Sequence, residues 1–125
     1  MAAVLTELVM QCREPAAVAS FWAGALGWPV QEYPGGVRWM SRSGSADNDV
    51  LLVFAPGRSP ASDGVRIRLA LRPVGCSTDD EVARLVALGA RTAGDRRGAP
   101  GWVALTDPEG NEIILGPPIE HAAEG

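Results

Sequence analysis

At 125 residues, 46% of them hydrophobic, the chain has the length and apolar content of one globular domain with a substantial core, not of a disordered chain. The net charge is −4, there is no Lys, and the eleven basic residues, all Arg, are scattered, which argues against a nucleic-acid partner because that needs a basic face. No apolar run approaches the roughly 20 residues of a membrane span, and the opening MAAVLTELVM has neither a basic n-region nor a cleavage site, so a cytoplasmic protein without a membrane partner is expected.

In chain order, Leu5 to Cys12 is β-prone, with Leu8, Met10 and Cys12 on one face and Glu7, Val9 and Gln11 on the other. Pro15 suits a first helical turn, and Val18, Phe21, Trp22 and Leu26 then fall at helical spacing up to Gly27, a C-terminal capping glycine. Trp28 to Tyr33 and Val37 to Ser41 read as short strands on either side of the turn Pro34-Gly35-Gly36. A polar loop, 41–49, leads into the strand Val50 to Ala55, and PGRSPASDG (56–64) has the composition of a linker.

The second half opens with VRIRLALR (Val65 to Arg72), which alternates with period two and places Arg66, Arg68, Ala70 and Arg72 on one face. Ser77-Thr78-Asp79-Asp80-Glu81 supplies capping hydroxyls and first-turn acids for a helix that runs through Val82, Leu85, Val86 and Leu88 to Gly89. Ala90 to Ala93 is a short strand and 95–100 a loop. Last comes a hairpin: Val103 to Thr106, the turn Asp107-Pro108-Glu109-Gly110-Asn111, and Glu112 to Leu115.

The order β, α, β, β, β therefore occurs twice. Ala25-Leu26-Gly27 recurs as Ala87-Leu88-Gly89, and Asn48 to Leu52 recurs as Asn111 to Leu115. Pro34-Gly35 recurs as Pro100-Gly101, each ahead of a Trp-bearing strand, and the offset stays near 61–66 residues. The expected fold is α+β: two βαβββ modules in tandem, about 4–56 and 65–117, joined by a linker at 57–64 and followed by a tail at 118–125. Half the chain buries too little surface to be stable alone, so the two sheets are expected to curve together into one mixed, cup-like surface with the helices outside.

The double βαβββ unit, the segment Ala19-Ser20-Phe21-Trp22-Ala23-Gly24-Ala25-Leu26-Gly27-Trp28 and the closing Asp107-Pro108-Glu109-Gly110-Asn111-Glu112 resemble the vicinal oxygen chelate superfamily. That group holds glyoxalase I, bleomycin-resistance proteins, extradiol dioxygenases and fosfomycin-resistance and epimerase enzymes. The pattern is most similar to its single-domain glyoxalase-like group and covers about residues 5–117. A fold shared by so many reactions does not name one.

The resemblance implies a divalent metal held by His, Gln or Glu from the first and last strands of each half. Carried over through the repeat, those positions fall on Glu7, Leu51, Arg68 and Ile114. Leu and Ile offer no donor atom, and Arg is a cation that does not deprotonate. Glu112 shares a face with Ile114 and is a substitute ligand, but two carboxylates with an Arg between them make a poor cage. No metal and no other cofactor is therefore expected.

Two roles for Arg68 stand side by side. It pairs with Glu7 across the two halves, holding them in register without an ion. Alternatively, with Arg66 or Arg72, it presents a fork to a ligand carboxylate, phosphate or enolate. Arg72 at the strand end has solvent exposure as its other role. Trp22 is assigned to the core and Trp28 to the sheet edge. Trp39 and Trp102 either wall the concavity or serve core or dimer packing. With Leu51, Val53 and Ile114 as floor, such a pocket suits an apolar, planar, anionic small molecule.

Nucleophilic catalysis has no support. The one His, His121, sits in a tail reading EHAAEG, Cys12 lies on a core face, and Cys12 and Cys76 lack CxxC spacing. The first functional expectation is a metal-free binder of a small molecule. The alternative is a lyase, isomerase or dioxygenase-type enzyme, with Glu7 as general base or with a divalent metal at displaced ligands. The resemblance further implies a homodimer.

Overall fold

The computed structural model describes residues 2–47, 49–57, 68–93 and 101–119. Asn48, the linker at 58–64, Arg66 and the strand start at 65–67, the loop at 95–100 and His121 lie outside the described residues. The elements are β1 (Glu7–Cys12), α1 (Pro15–Leu26), β2 (Val30–Tyr33), β3 (Val37–Met40) and β4 (Leu51–Pro56), then β5 (Arg68–Leu71), α2 (Thr78–Leu88), β6 (Arg91–Thr92), β7 (Val103–Thr106) and β8 (Glu112–Leu115). The chain divides into two compact units, Met1–Ser62 and Asp63–Gly125. Each holds one βαβββ module, as the repeat predicts, and the strand orders match: β1-β4-β3-β2 and β5-β8-β7-β6.

In the first module β1 runs parallel to β4, with Glu7 opposite Leu51 and Cys12 opposite Pro56, while β3 is antiparallel to β4 and to β2. β1 starts at Glu7 and not at Leu5 because its partner begins only at Leu51, whose N–H reaches back to the Thr6 carbonyl at 3.0 Å. β2 starts after Pro29, which has no N–H for a ladder. α1 takes Pro15 in its first turn and stops at Gly27, whose φ of 74° is cheap only for glycine. It packs mainly on β3 and β4. Val18, Ala19, Phe21 and Trp22 from the helix are buried, as are Cys12, Met40, Leu52 and Phe54 from the strands. Phe21 and Trp22 meet edge to face, with centroids 5.3 Å apart. Each large side chain in this layer contributes about 1.5–3 kcal/mol by leaving water. Trp22 and Cys12 are thus core, as expected.

The second module repeats the pattern. β5 is parallel to β8, and β7 is antiparallel to β8 and β6. Leu105, Ile113 and Leu115 alternate onto one fully buried face, and Leu85 of α2 is fully buried as well. Ser77 caps α2 by accepting the Asp80 N–H at 3.0 Å, and the first turn carries Asp79, Asp80 and Glu81 against the positive end of the helix. The Thr78 hydroxyl donates to the Gly116 carbonyl at 3.1 Å, tying the helix start to the end of β8. Arg72 lies just past the end of β5 and is exposed, the second of its two expected roles. Its Nε donates to the Pro117 carbonyl at 2.8 Å and its Nη2 to that of Pro118 at 3.1 Å, holding the chain beyond β8 while Ile119 bridges to Val74.

Candidate functional site

Which side chains share a face follows from the ladders, because residues paired across strands point the same way and neighbours along a strand point oppositely. In the first module the face away from the buried layer carries Glu7, Val9, Leu51, Val53 and Trp39: Glu7 pairs with Leu51, and Val53 pairs with both Val9 and Trp39. Leu51, Val53 and Trp39 are half-buried, Glu7 is exposed, and Val9 is 58% exposed. The structure brings four expected site residues of this module, Glu7, Leu51, Val53 and Trp39, onto one apolar surface with one carboxylate at its rim.

In the second module Arg68 pairs with Glu112, and Ala70 with Ile114. Arg68 Nε donates to Glu112 Oε1 at 2.9 Å. Arg68 is 59% exposed in its side chain and Glu112 only 20%, so the pair is screened on one side. Within its own sheet Arg68 thus holds Glu112, on the neighbouring strand, a pairing not expected from the sequence. The register also corrects the matching of the two halves. Leu51 to Glu112 is the same 61-residue step as Glu7 to Arg68, so the counterpart of Leu51 is Glu112. Ile114, expected there, corresponds to Val53. The likeness of Asn48–Leu52 to Asn111–Leu115 is two residues out of step with the ladder because the loop before β4 is longer than the turn before β8.

The two Trp residues are not equivalent either. The residue opposite Ile114 is Ala104, so Ala104 is the counterpart of Trp39, which faces Val53. Trp102 lies just before β7 and covers Gly116: a Cβ placed on that buried glycine would stand 2.7 Å from the indole ring. Trp28, half-buried beyond Gly27, lies outside β2. Arg91 was read in the sequence only as part of a short strand. The register puts it opposite Thr106, and Thr106 opposite Glu112, so Arg91 shares a face with Arg68. A two-residue strand has too little alternation to reveal that from sequence.

The charged groups with perturbed titration lie elsewhere. Arg84 grips Glu81 in α2 with bonds of 2.9 and 2.6 Å and holds its carboxyl below the usual range, against the opposing effect of burial. Burial, then the neighbouring Glu81 charge, push the Cys76 thiol up, so it is a weaker nucleophile than an ordinary cysteine. In the loop before β4, Asp49 is lowered first by the hydrogen bond from the Ser43 hydroxyl. These are loop and helix locks.

The residues at the family's ligand positions do not fit a divalent cation. Leu51 and Ile114 have no donor atom, Arg68 is a cation, and Glu112, the substitute ligand, is already bonded to Arg68. Among the described residues, no group of three His, Cys, Asp or Glu side chains is placed to hold a metal. Among the same residues, no helix is long and apolar enough to cross a membrane.

A family model described as a glyoxalase-like domain matches residues 7–115. Solved structures with the same fold include a glyoxalase/bleomycin resistance protein/dioxygenase family enzyme from Burkholderia phytofirmans, at 17% identity and a TM-score of 0.63 over 90% of this chain and 97% of that one. Another is the genomically encoded fosfomycin resistance protein FosX from Listeria monocytogenes, complexed with Mn(II) and sulfate, at 13% identity and a TM-score of 0.68 over 96% and 94%. A third is a glyoxalase-related enzyme from Fulvimarina pelagi, at 17% identity and a TM-score of 0.60 over 91% and 87%. No match is found among curated proteins.

Proposed function

Because the chain belongs to the glyoxalase-like domain family, we propose that it binds a small apolar, anionic molecule on the open sheet faces described above, without a metal. The observation that carries this is the exchange of donors for a salt bridge and apolar side chains at the strand positions that bear the family's ligands. Of the four positions the resemblance assigns to ligands, Arg68 is bonded to the substitute carboxylate Glu112, Glu7 stands beside Leu51, and Ile114 is apolar. Trp39, Val53 and Leu51 supply a flat apolar wall, the kind of surface that binds an organic molecule by excluding water from both. In this reading the protein is a homodimer, as the resemblance implies.

Thermal denaturation against divalent metals and a library of small organic acids tests the reading, since any ligand of the native state raises the melting point. Mn(II), Zn(II) and Mg(II) are expected to leave the transition unmoved, and at least one apolar acid to raise it by several degrees. A rise with a metal alone returns the metal-dependent enzyme reading. Light scattering at micromolar concentration checks the dimer, with twice the chain mass expected.

A further inference from the structure

The register of the second sheet lays its residues out in rungs. One rung runs Arg68, Glu112, Thr106, Arg91 across all four strands. The next holds Ala70, Ile114 and Ala104, with the Ala93 N–H bonded to the Ala104 carbonyl at 3.0 Å. Beyond it the Trp102 indole covers Gly116. Between the charged rung and the indole lies a shelf floored by exposed Ala70 and half-buried Ile114, with Ala104 buried beside them. Glu112 and Gly116 are four residues apart on an extended strand, so the shelf is about 13 Å long. Strand spacing of about 4.8 Å makes the charged rung about 14 Å wide.

The two guanidinium groups on that rung differ. Arg68 is engaged with Glu112 at 2.9 Å, and separating them would cost part of whatever an incoming anion returned. Arg91, at the other end, is exposed and has a hydroxyl, Thr106, as its rung neighbour. Two Arg and one Glu leave the rung with a net positive charge. An anion therefore meets a cation and a hydroxyl donor at the Arg91 end, next to a shelf suited to a flat ring.

We propose that Arg91, with Thr106, is the anion-binding end of a site on the second module for a flat aromatic carboxylate whose ring lies on Ile114 and Ala70 beside Trp102. This rests on the binding reading above and gives it a ligand class. It also moves the recognising cation from Arg68 to Arg91.

Calorimetric titration of the full chain with 1-naphthoate and with neutral 1-naphthamide tests it. The carboxylate is expected to bind about tenfold more tightly than the amide, the size of one charge-assisted hydrogen bond. In Arg91→Gln the advantage disappears while the amide binds as before; Arg68→Gln, which lowers the rung's net charge but leaves Arg91 and Thr106 in place, keeps most of it. Arg91→Lys, which retains the charge but not the fork, keeps part of the advantage and serves if Arg91→Gln does not fold. An advantage that survives Arg91→Gln, or that vanishes in Arg68→Gln instead, overturns the assignment. Equal binding of the two compounds by the wild type overturns this inference and leaves the broader binding reading intact. Binding of neither at millimolar concentration overturns the inference too, and the broader reading then rests on its own screen.

Discussion

Asp107 shows how much one buried side chain determines in this chain. It is 1% exposed, and its carboxylate accepts the N–H groups of Glu109 and Asn111 and the Asn111 side-chain amide, each at 2.9 Å. Gly110, at φ 96°, closes the turn by donating to the Asp107 carbonyl at 2.9 Å. The turn in turn sets the pairing of Thr106 with Glu112 and so delivers Glu112 to Arg68. Asp107→Ala strips three donors of their acceptor and is expected to cost about 3 kcal/mol in urea denaturation. Asp107→Asn keeps an acceptor for the backbone donors but turns an amide towards Asn111, so it should cost less. Equal losses from both would show that the charge, rather than the acceptor geometry, holds the turn. Arg68 carries the opposite lesson. Its position was legible, its partner was not, because alternation tells which face a residue takes but not which residue stands opposite on the next strand.

At the scale of elements, the helices and strands follow from local chemistry. Pro15 and Gly27 bound α1, and Ser77 and Gly89 bound α2. Within α2, Glu81 is nearly buried and bonded twice to Arg84, and its carboxyl titrates below that of an unfolded chain. Its stabilising effect is therefore full above the unfolded carboxyl pKa of about 4.3 and fades as pH falls through the lower folded value. Glu81→Gln is expected to lower stability by about 1–2 kcal/mol at pH 7, discounted because Arg84 is 46% exposed in its side chain, and to flatten the acid limb of a stability–pH curve. A variant whose melting point falls with acid as steeply as the wild type's would assign that limb to other carboxylates. β6 is the element whose role sequence could least reveal: two residues hold no periodicity, yet their pairing aligns Arg91 with the Arg68–Glu112 bridge.

At the scale of the whole molecule, the duplication is the organising fact. Two modules with the same strand order make up the chain, each with one helix and one buried sheet face. A unit of about 60 residues buries only about 60% of its unfolded surface and is marginal by itself. Residues 1–62 expressed alone are expected to show no cooperative thermal transition, while the full chain shows one. A sharp transition in the fragment would mean that one helix on one sheet suffices.

Sequence by itself determined the βαβββ repeat, the helix limits and the core placement of Trp22 and Cys12. Those depend on periodicity, capping and turn chemistry, which act over a few residues. Only the tertiary structure decided the rungs. Residues 44 positions apart, Arg68 and Glu112, became partners, Ile114 became the counterpart of Val53 instead of Leu51, and Ala104 took the place expected of Trp102. The physical reason is that register depends on how loops of unequal length deliver one strand to another, and a shift of two residues preserves the face while changing every partner.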